Sequence, residues 1–239
     1  MNPTLLGDLT WPQAGELAAG GAILAVPLGS TEQHGPHLPL STDVDIAIAL
    51  SLALSEVRPS VVVAPRIPYG SSGEHDGFTG TLSIGQDALE HLLVELGRSA
   101  CATFTRVLIV SAHGGNAAPV SRAVDLLRSE GRDVRAWSPS GYVDAHAGRT
   151  ETSIQLALDE SRVDADRAEP GNPRPMSALI QQLRAGGVRS VSPNGVLGYP
   201  TGATGEEGRA ELSRLIADLV LFVDRVFAPV ADVRDGALR

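Results

Sequence analysis

Glu32, His34, His37 and Asp43 fall in one short run, Gly29-Ser30-Thr31-Glu32-Gln33-His34-Gly35-Pro36-His37-Leu38-Pro39-Leu40-Ser41-Thr42-Asp43. Two carboxylates and two imidazoles without sulfur form a donor set that suits Zn, Mn or Fe(II) rather than a thiolate cluster. Gly35-Pro36 and Leu38-Pro39 forbid a continuous helix, because each proline lacks an N–H and biases its predecessor towards extended backbone. The run is therefore a stiff, irregular scaffold that can aim side chains. Glu32 and His34, two apart in extended chain, point to the same side. Ser41-Thr42 cap the apolar-periodic segment that follows, so a helix start holds Asp43. Taken alone, the run serves equally well as a turn whose polar groups satisfy one another and the helix N-terminus.

The elements around the run separate these readings. An apolar run at 22–28, between Gly-Gly and Gly-Ser, reads as a buried strand leading straight into the scaffold. Further strands are expected at 61–64, 106–111 and 134–137, and helices at 11–19, 43–57, 86–104, 116–129, 150–158, 176–185 and 208–227. The segment 43–57 alternates like a strand but is too long for one and begins at a cap, so it reads as a nearly all-buried helix. Asn116 is placed to cap the helix after the third strand, with Pro119 in the tolerant first turn. Strand–helix alternation of this kind predicts an α/β fold whose mostly parallel sheet is covered on both faces. Ligands then gather beyond the carboxyl ends of the strands. Glu32 and His34 follow the first strand, Glu74-His75 the second, His113 the third and His146 the fourth. Of the six histidines, only His91 falls inside a helix. That convergence favours a metal site over a self-satisfied turn.

Composition narrows the function classes. At 239 residues a single domain spanning 1–239 is expected, with a core carried by aliphatic packing because aromatics make up only 4%. A net charge of -9 argues against a nucleic-acid footprint or attraction to an anionic membrane. All 19 basic residues are arginines, which excludes a lysine Schiff base and a Walker-type phosphate loop. The one cysteine, Cys101, lies in an apolar segment and reads as a small buried side chain. With no disulfide possible within the chain, a reducing cytoplasm is the expected setting; no basic N-terminal region precedes an apolar stretch, and no run approaches membrane-spanning length.

Two further segments carry chemistry. In Ser111-Ala112-His113-Gly114-Gly115-Asn116 a histidine leaves a buried strand where Gly-Gly lets backbone pass close to a ligand. In Asp144-Ala145-His146-Ala147-Gly148-Arg149-Thr150-Glu151-Thr152-Ser153 a histidine and a carboxylate flank a helix start, where Glu151 also favours the helix dipole. These segments, with Glu32-Gln33-His34-Gly35-Pro36-His37-Leu38-Pro39, Asp43, and Ser72-Gly73-Glu74-His75 through Gly80-Thr81-Leu82-Ser83, together resemble the creatininase (creatinine amidohydrolase) family. Within it, Ala168-Glu169-Pro170-Gly171-Asn172 and Val191-Ser192-Pro193-Asn194-Gly195-Val196-Leu197-Gly198, with Pro200-Thr201 beyond, bring the chain nearest to members that cleave a modified precursor peptide.

The resemblance implies a three-layer α/β sandwich, two divalent metal ions (Zn, Fe(II) or Mn), attack by metal-bound hydroxide on an amide carbon, and a homo-oligomer, often a hexamer. It places Glu32 and His113 on one metal and His34 on the other, with Asp43 bridging. The family's second-metal glutamate falls at Gly115 here, so Glu151 is expected to replace it. The departing nitrogen needs a proton, and His146 is the expected shuttle. Glu74, His75 and Asn116 are expected on the substrate side of the cleft, and His37 behind the ligands, holding the loop. Residues 194–208 lack dinucleotide-binding spacing and read as a wall or lid. The implied substrate is a precursor peptide whose modified C-terminal Val-Tyr portion is released. The alternatives are another amidohydrolase of the family, acting on a cyclic amide such as creatinine or on a formamide, and a catalytically idle metal-binding or assembly protein.

Overall fold

Alternation along two central strands sets the architecture, seen here in a computed structural model that describes residues 2–227. Strand β2 (Ile23–Leu28) sends Ile23 and Ala25 to one face and Leu24, Val26 and Leu28 to the other. Strand β4 (Arg106–Ser111) divides Leu108 and Val110 from Val107 and Ile109 in the same way. Both faces are thus apolar and both need cover, the condition under which parallel sheets occur. With β1 (Thr4–Leu5), β3 (Val61–Val63) and β5 (Asp133–Trp137) the sheet runs β1-β3-β2-β4-β5, every pair parallel. The register of the central pair runs from Ile23 opposite Arg106 to Leu28 opposite Ser111, so both strands deliver their following loops to one rim.

Helices α1 (Trp11–Ala19), α3 (Gln86–Ala100) and α4 (Ala117–Ser129) cover one face. The other is covered by α2 (Thr42–Val57), α5 (Arg149–Asp159) and α7 (Gly205–Val226), completing the expected three layers. Helix α6 (Met176–Gly186) stands apart, packing Leu179 and Leu183 against Val188 and Leu197. Among the described residues no helix is long and apolar enough to cross a membrane.

Helix α2 is the core helix expected despite its alternating sequence. Val44, Ala47, Leu50 and Leu54 recur at helical spacing and are all buried. Ser41 occupies the cap position, but its hydroxyl donates to the Asp45 carboxylate at 2.9 Å rather than accepting a backbone N–H.

Other boundaries differ from the sequence reading. Helix α3 stops at Ala100, where the chain turns through 101–103 to bury Phe104. Helix α7 begins at Gly205 because Thr204 and Glu207 close a capping box: the Glu207 N–H donates to Thr204 Oγ1 and the Thr204 N–H to Glu207 Oε2, both at 3.2 Å. The edge strand β1 was not anticipated, two residues being too few to show a period. Cys101 is half-buried, and burial pushes its thiol up from the ordinary value.

One close approach brings the layers together at the rim. A Cβ on Gly29, at the end of β2, would lie 2.5 Å from the backbone N and Cα of Val44. Only glycine lets the start of α2, and with it Asp43, press against the chain that carries Glu32. Gly29→Ala is therefore expected to cost about 1–3 kcal/mol, the usual range for overpacking, read as a lower urea midpoint at unchanged slope. An unchanged midpoint would show that α2 can move aside freely.

Candidate metal centre

Three loops and two helix starts meet at the carboxyl rim of the sheet. The loop after β2 brings Glu32 and His34, both fully buried, and the first turn of α2 brings Asp43 at 2% exposure. His34 Nε2 lies 3.2 Å from Asp43 Oδ1, while His113 Nδ1, from the end of β4, lies 3.3 Å from Asp43 Oδ2. The two oxygens of one carboxylate thus face two different histidines. His113 Nε2 is 3.2 Å from Glu32 Oε2, and Glu151 Oε2, in the first turn of α5, is 3.9 Å from His34 Nε2. The donor atoms fall into overlapping groups with all members within 4.8 Å: Glu32, Asp43 and His113; His34, Asp43 and Glu151; and Glu32, His34 and His146.

Whether these residues fit a cation is tested by their unmet needs. Glu32 Oε1 and Oε2 and Asp43 Oδ2 are buried without a well-aligned hydrogen-bond partner, the nearby imidazoles approaching off the bonding direction. Buried carboxylate oxygens left in this way are rare unless something else satisfies them. Their electrostatics agree. Burial raises the Glu32 carboxyl to about 8, opposed chiefly by His113. Burial likewise raises Glu151 to about 7, opposed by His34. For Asp43, burial is outweighed by the His34 imidazole, which pulls the carboxyl below its ordinary value. Burial disfavours charge on His34, yet Asp43 raises that imidazole to about 10. The donors hold protons that a cation would replace, and the set fits.

The remaining expected residues are placed as follows. His146 is buried beside His34 and His75, with ring centroids 4.4 and 4.5 Å away. Burial, with cationic His34 beside it, holds its imidazole well below the ordinary value, so it is neutral. His37 Nε2 lies 2.9 Å from Thr152 Oγ1 and ties the scaffold loop to α5 one residue past Glu151. His91 is exposed on α3, away from the centre. Glu74 and His75 line the cleft, with Glu74 Oε1 3.5 Å from His113 Nε2. Asn116 neither caps α4 with its side chain nor lines the cleft. It is fully buried, its Oδ1 accepting from the Ser71 N–H at 2.8 Å and its Nδ2 donating to Gly29 O at 3.0 Å, so it clamps two loops together. At Gly115 a Cβ would overlap Glu74 Oε1, Ser71 O and His113 Nε2, so a side chain there requires the Ser71 backbone and the His113 ring, as well as Glu74, to shift.

The centre opens into a cavity of about 950 Å³. Glu74, His113 and His146 line one side, and Met176, Ile180 and Leu183 of α6 the other. Sequence reasoning missed this apolar wall, although the spacing of those three residues places them on one helix face. It also missed Gln33, whose buried amide touches both His75 and His146.

Comparison with known proteins agrees with this geometry. The model of the family "Creatininase: Creatinine amidohydrolase" matches residues 7–223. The chain belongs to the creatininase family. Like its family, it is a hydrolase that acts on amide bonds. It is 46% identical over 231 residues to a mycofactocin precursor peptide peptidase from Mycobacterium ulcerans (strain Agy99), covering 92% of each chain. Among solved structures it is similar to "Creatininase Mn", with TM-score 0.80 and 25% identity over 95% of this chain and 100% of that one. It is similar too to a creatininase mutant of the "Zn-Zn type", with TM-score 0.81 and 25% identity over 96% of this chain and 100% of that one.

In this creatininase-family chain, cation uptake must displace protons from Glu32, whose carboxyl is raised to about 8, from Glu151, raised to about 7, and from the His34 imidazole, raised to about 10. Affinity for zinc is therefore expected to rise between about pH 6 and pH 10, with proton release largest at the acid end. Calorimetry in buffers of differing ionisation enthalpy measures both. Uptake without proton release would remove these carboxylates from the site.

Proposed function

We propose that this chain is a metal-dependent peptidase of mycofactocin maturation, which cleaves a modified precursor peptide and releases its C-terminal Val-Tyr portion. The observation that carries the reading is Asp43, buried with its two oxygens turned to His34 and His113 and shared by two three-donor groups. In this reading Glu32, Asp43 and His113 hold one divalent ion, and His34, Asp43 and Glu151 the other. When bound, two such ions supply an activated water and polarise the amide carbonyl. The high identity to precursor peptide peptidases supports a peptide substrate. A cavity of about 950 Å³ has room for the C-terminal residues of one.

The chain's own residues then have distinct tasks. Asp43 fixes the spacing of the two sets of donors. His146 starts neutral, with Nδ1 3.9 Å from Glu32 Oε1. It accepts a proton from the attacking water and returns it to the departing nitrogen, since an amide anion is a very poor leaving group. The apolar face of α6 receives the remodelled valine and tyrosine carbons, and burial against it excludes water. Modification fixes that C-terminal pair in one shape, which lowers the ordering cost of binding.

Dialysis against a chelator is expected to abolish peptide cleavage, and Zn, Mn or Fe(II) to restore it. His146→Ala should keep two ions per chain by elemental analysis yet lose about 10²–10⁴-fold in turnover, whereas Glu151→Gln should lose one ion. The reverse pattern would exchange the two roles. Offered both molecules, the metal-loaded enzyme should cut the remodelled peptide before its valine and leave creatinine nearly untouched, as followed by mass spectrometry. Rapid creatinine opening with intact peptide would overturn the substrate while leaving an amidohydrolase.

A further inference from the structure

Gln33 stands between two metal-side residues and is 4% exposed, but it carries no charge and no reactive atom. Its amide is locked in one orientation. Oε1 accepts the Gly35 N–H at 2.8 Å, and Nε2 donates to Gly195 O at 3.2 Å. A flipped amide would set oxygen against the Gly195 carbonyl and NH₂ against the Gly35 N–H. Gly195 itself leaves no slack, because a Cβ there would overlap the Gln33 amide. The second hydrogen on Nε2 then points to His75 Nδ1, 2.8 Å away.

That contact determines where His75 carries its proton. An imidazole nitrogen that accepts a hydrogen bond is bare, so the proton sits on Nε2. His75 Nε2 lies 3.2 Å from Glu32 Oε1 and presents its N–H edge, not a lone pair, to that carboxylate. His75 therefore offers no lone pair on that side and does not compete for a cation.

The backbone of Gln33 does the same for His146. His146 Nε2 is 2.9 Å from Gln33 O and 3.0 Å from Gln33 Nε2. Both amide hydrogens of Gln33 are already committed, to His75 and to Gly195, so His146 Nε2 must donate to the carbonyl. Its Nδ1 is then bare and on the Glu32 side, 3.9 Å from Oε1.

We infer that Gln33 is a positioning residue that sets the tautomers of both His75 and His146, keeping His75 off the metal and leaving His146 Nδ1 open to take a proton. The consequence for turnover rests on His146 being the shuttle proposed above; the tautomers themselves do not.

Protein labelled with ¹⁵N in histidine, metal-free and zinc-loaded, tests this by the ring-nitrogen resonances, assigned through single-histidine substitutions. In the native chain both His75 and His146 should show a bare Nδ1 and a protonated Nε2. Gln33→Glu, of the same shape, puts an acceptor at His75 Nδ1 and should move that nitrogen to the protonated range. Gln33→Met removes the donor and should leave His75 as a mixture of tautomers. In both variants His146, held by backbone, should keep its tautomer. Turnover should fall about 10–100-fold, as for other outer partners of metal ligands, in protein whose melting temperature confirms that it is folded. A protonated Nδ1 on His75 in the native chain, or an unmoved His75 resonance in both folded variants, would overturn the assignment. Full turnover in variants whose His75 has shifted would overturn the positioning role. Full activity of His146→Ala would instead remove the shuttle and leave the tautomers standing.

Discussion

Three carboxylates, Glu32, Asp43 and Glu151, share one buried corner, and the rest of the structure answers to that crowding. Each loses hydration on burial and each opposes the charge of the next. His34 and His113 are set between them as counter-charges. Asp43 and Glu151 stand in the first turns of α2 and α5, where the exposed N–H ends of a helix favour negative charge. The local backbone is bent to the same purpose. Ala147, at φ 50, is the one non-glycine residue of positive φ among those described, and its N–H donates to Glu151 Oε2 at 2.6 Å. Strain and buried charge of this kind are unfavourable for folding and persist where a function maintains them.

Much of this was legible in the chain because it rests on local rules. Strand period, a helix cap and the prolines of the Gly35–Pro39 run are read from near neighbours, and they placed β2, α2, β4 and the scaffold loop. Glu32, His34 and Asp43 followed, since their geometry depends on one loop and one helix start. Asn116 occupies the cap position of α4 as its residue type suggests, but tertiary contacts with Ser71 and Gly29 claim its side chain, which no local rule shows. The start of α7 was in the sequence as Thr204 and Glu207, three apart, and the capping-box spacing would have found it. No local signal marks Gln33. Its role depends on Gly195 and His146, far along the chain, and a buried amide beside a histidine has no period.

The cleft has two chemically different sides, and different parts of the fold make them. The polar side is built from the ends of strands in the rigid sheet, positioned by hydrogen bonds on either side. The apolar side comes from α6, which packs into its own small cluster with Val188 and Leu197 and not into either main core. The Asn194–Gly198 turn joins the two, pairing Leu197 with His146 through backbone bonds while Gly195 anchors Gln33. A shift in that turn would be felt at both walls.

All five strands run the same way, so every residue of the centre lies at one rim. The turns at Gly20–Gly21, Arg58–Ser60 and Gly131–Arg132 lie at the other, roughly 20 Å off by the length of a six-residue strand such as β4. Selection on the reaction therefore bears on one end of the sheet only. The opposite end can lengthen, shorten or acquire attachments as lineages diverge, and it is the natural place to insert a tag or a tether without disturbing the chemistry.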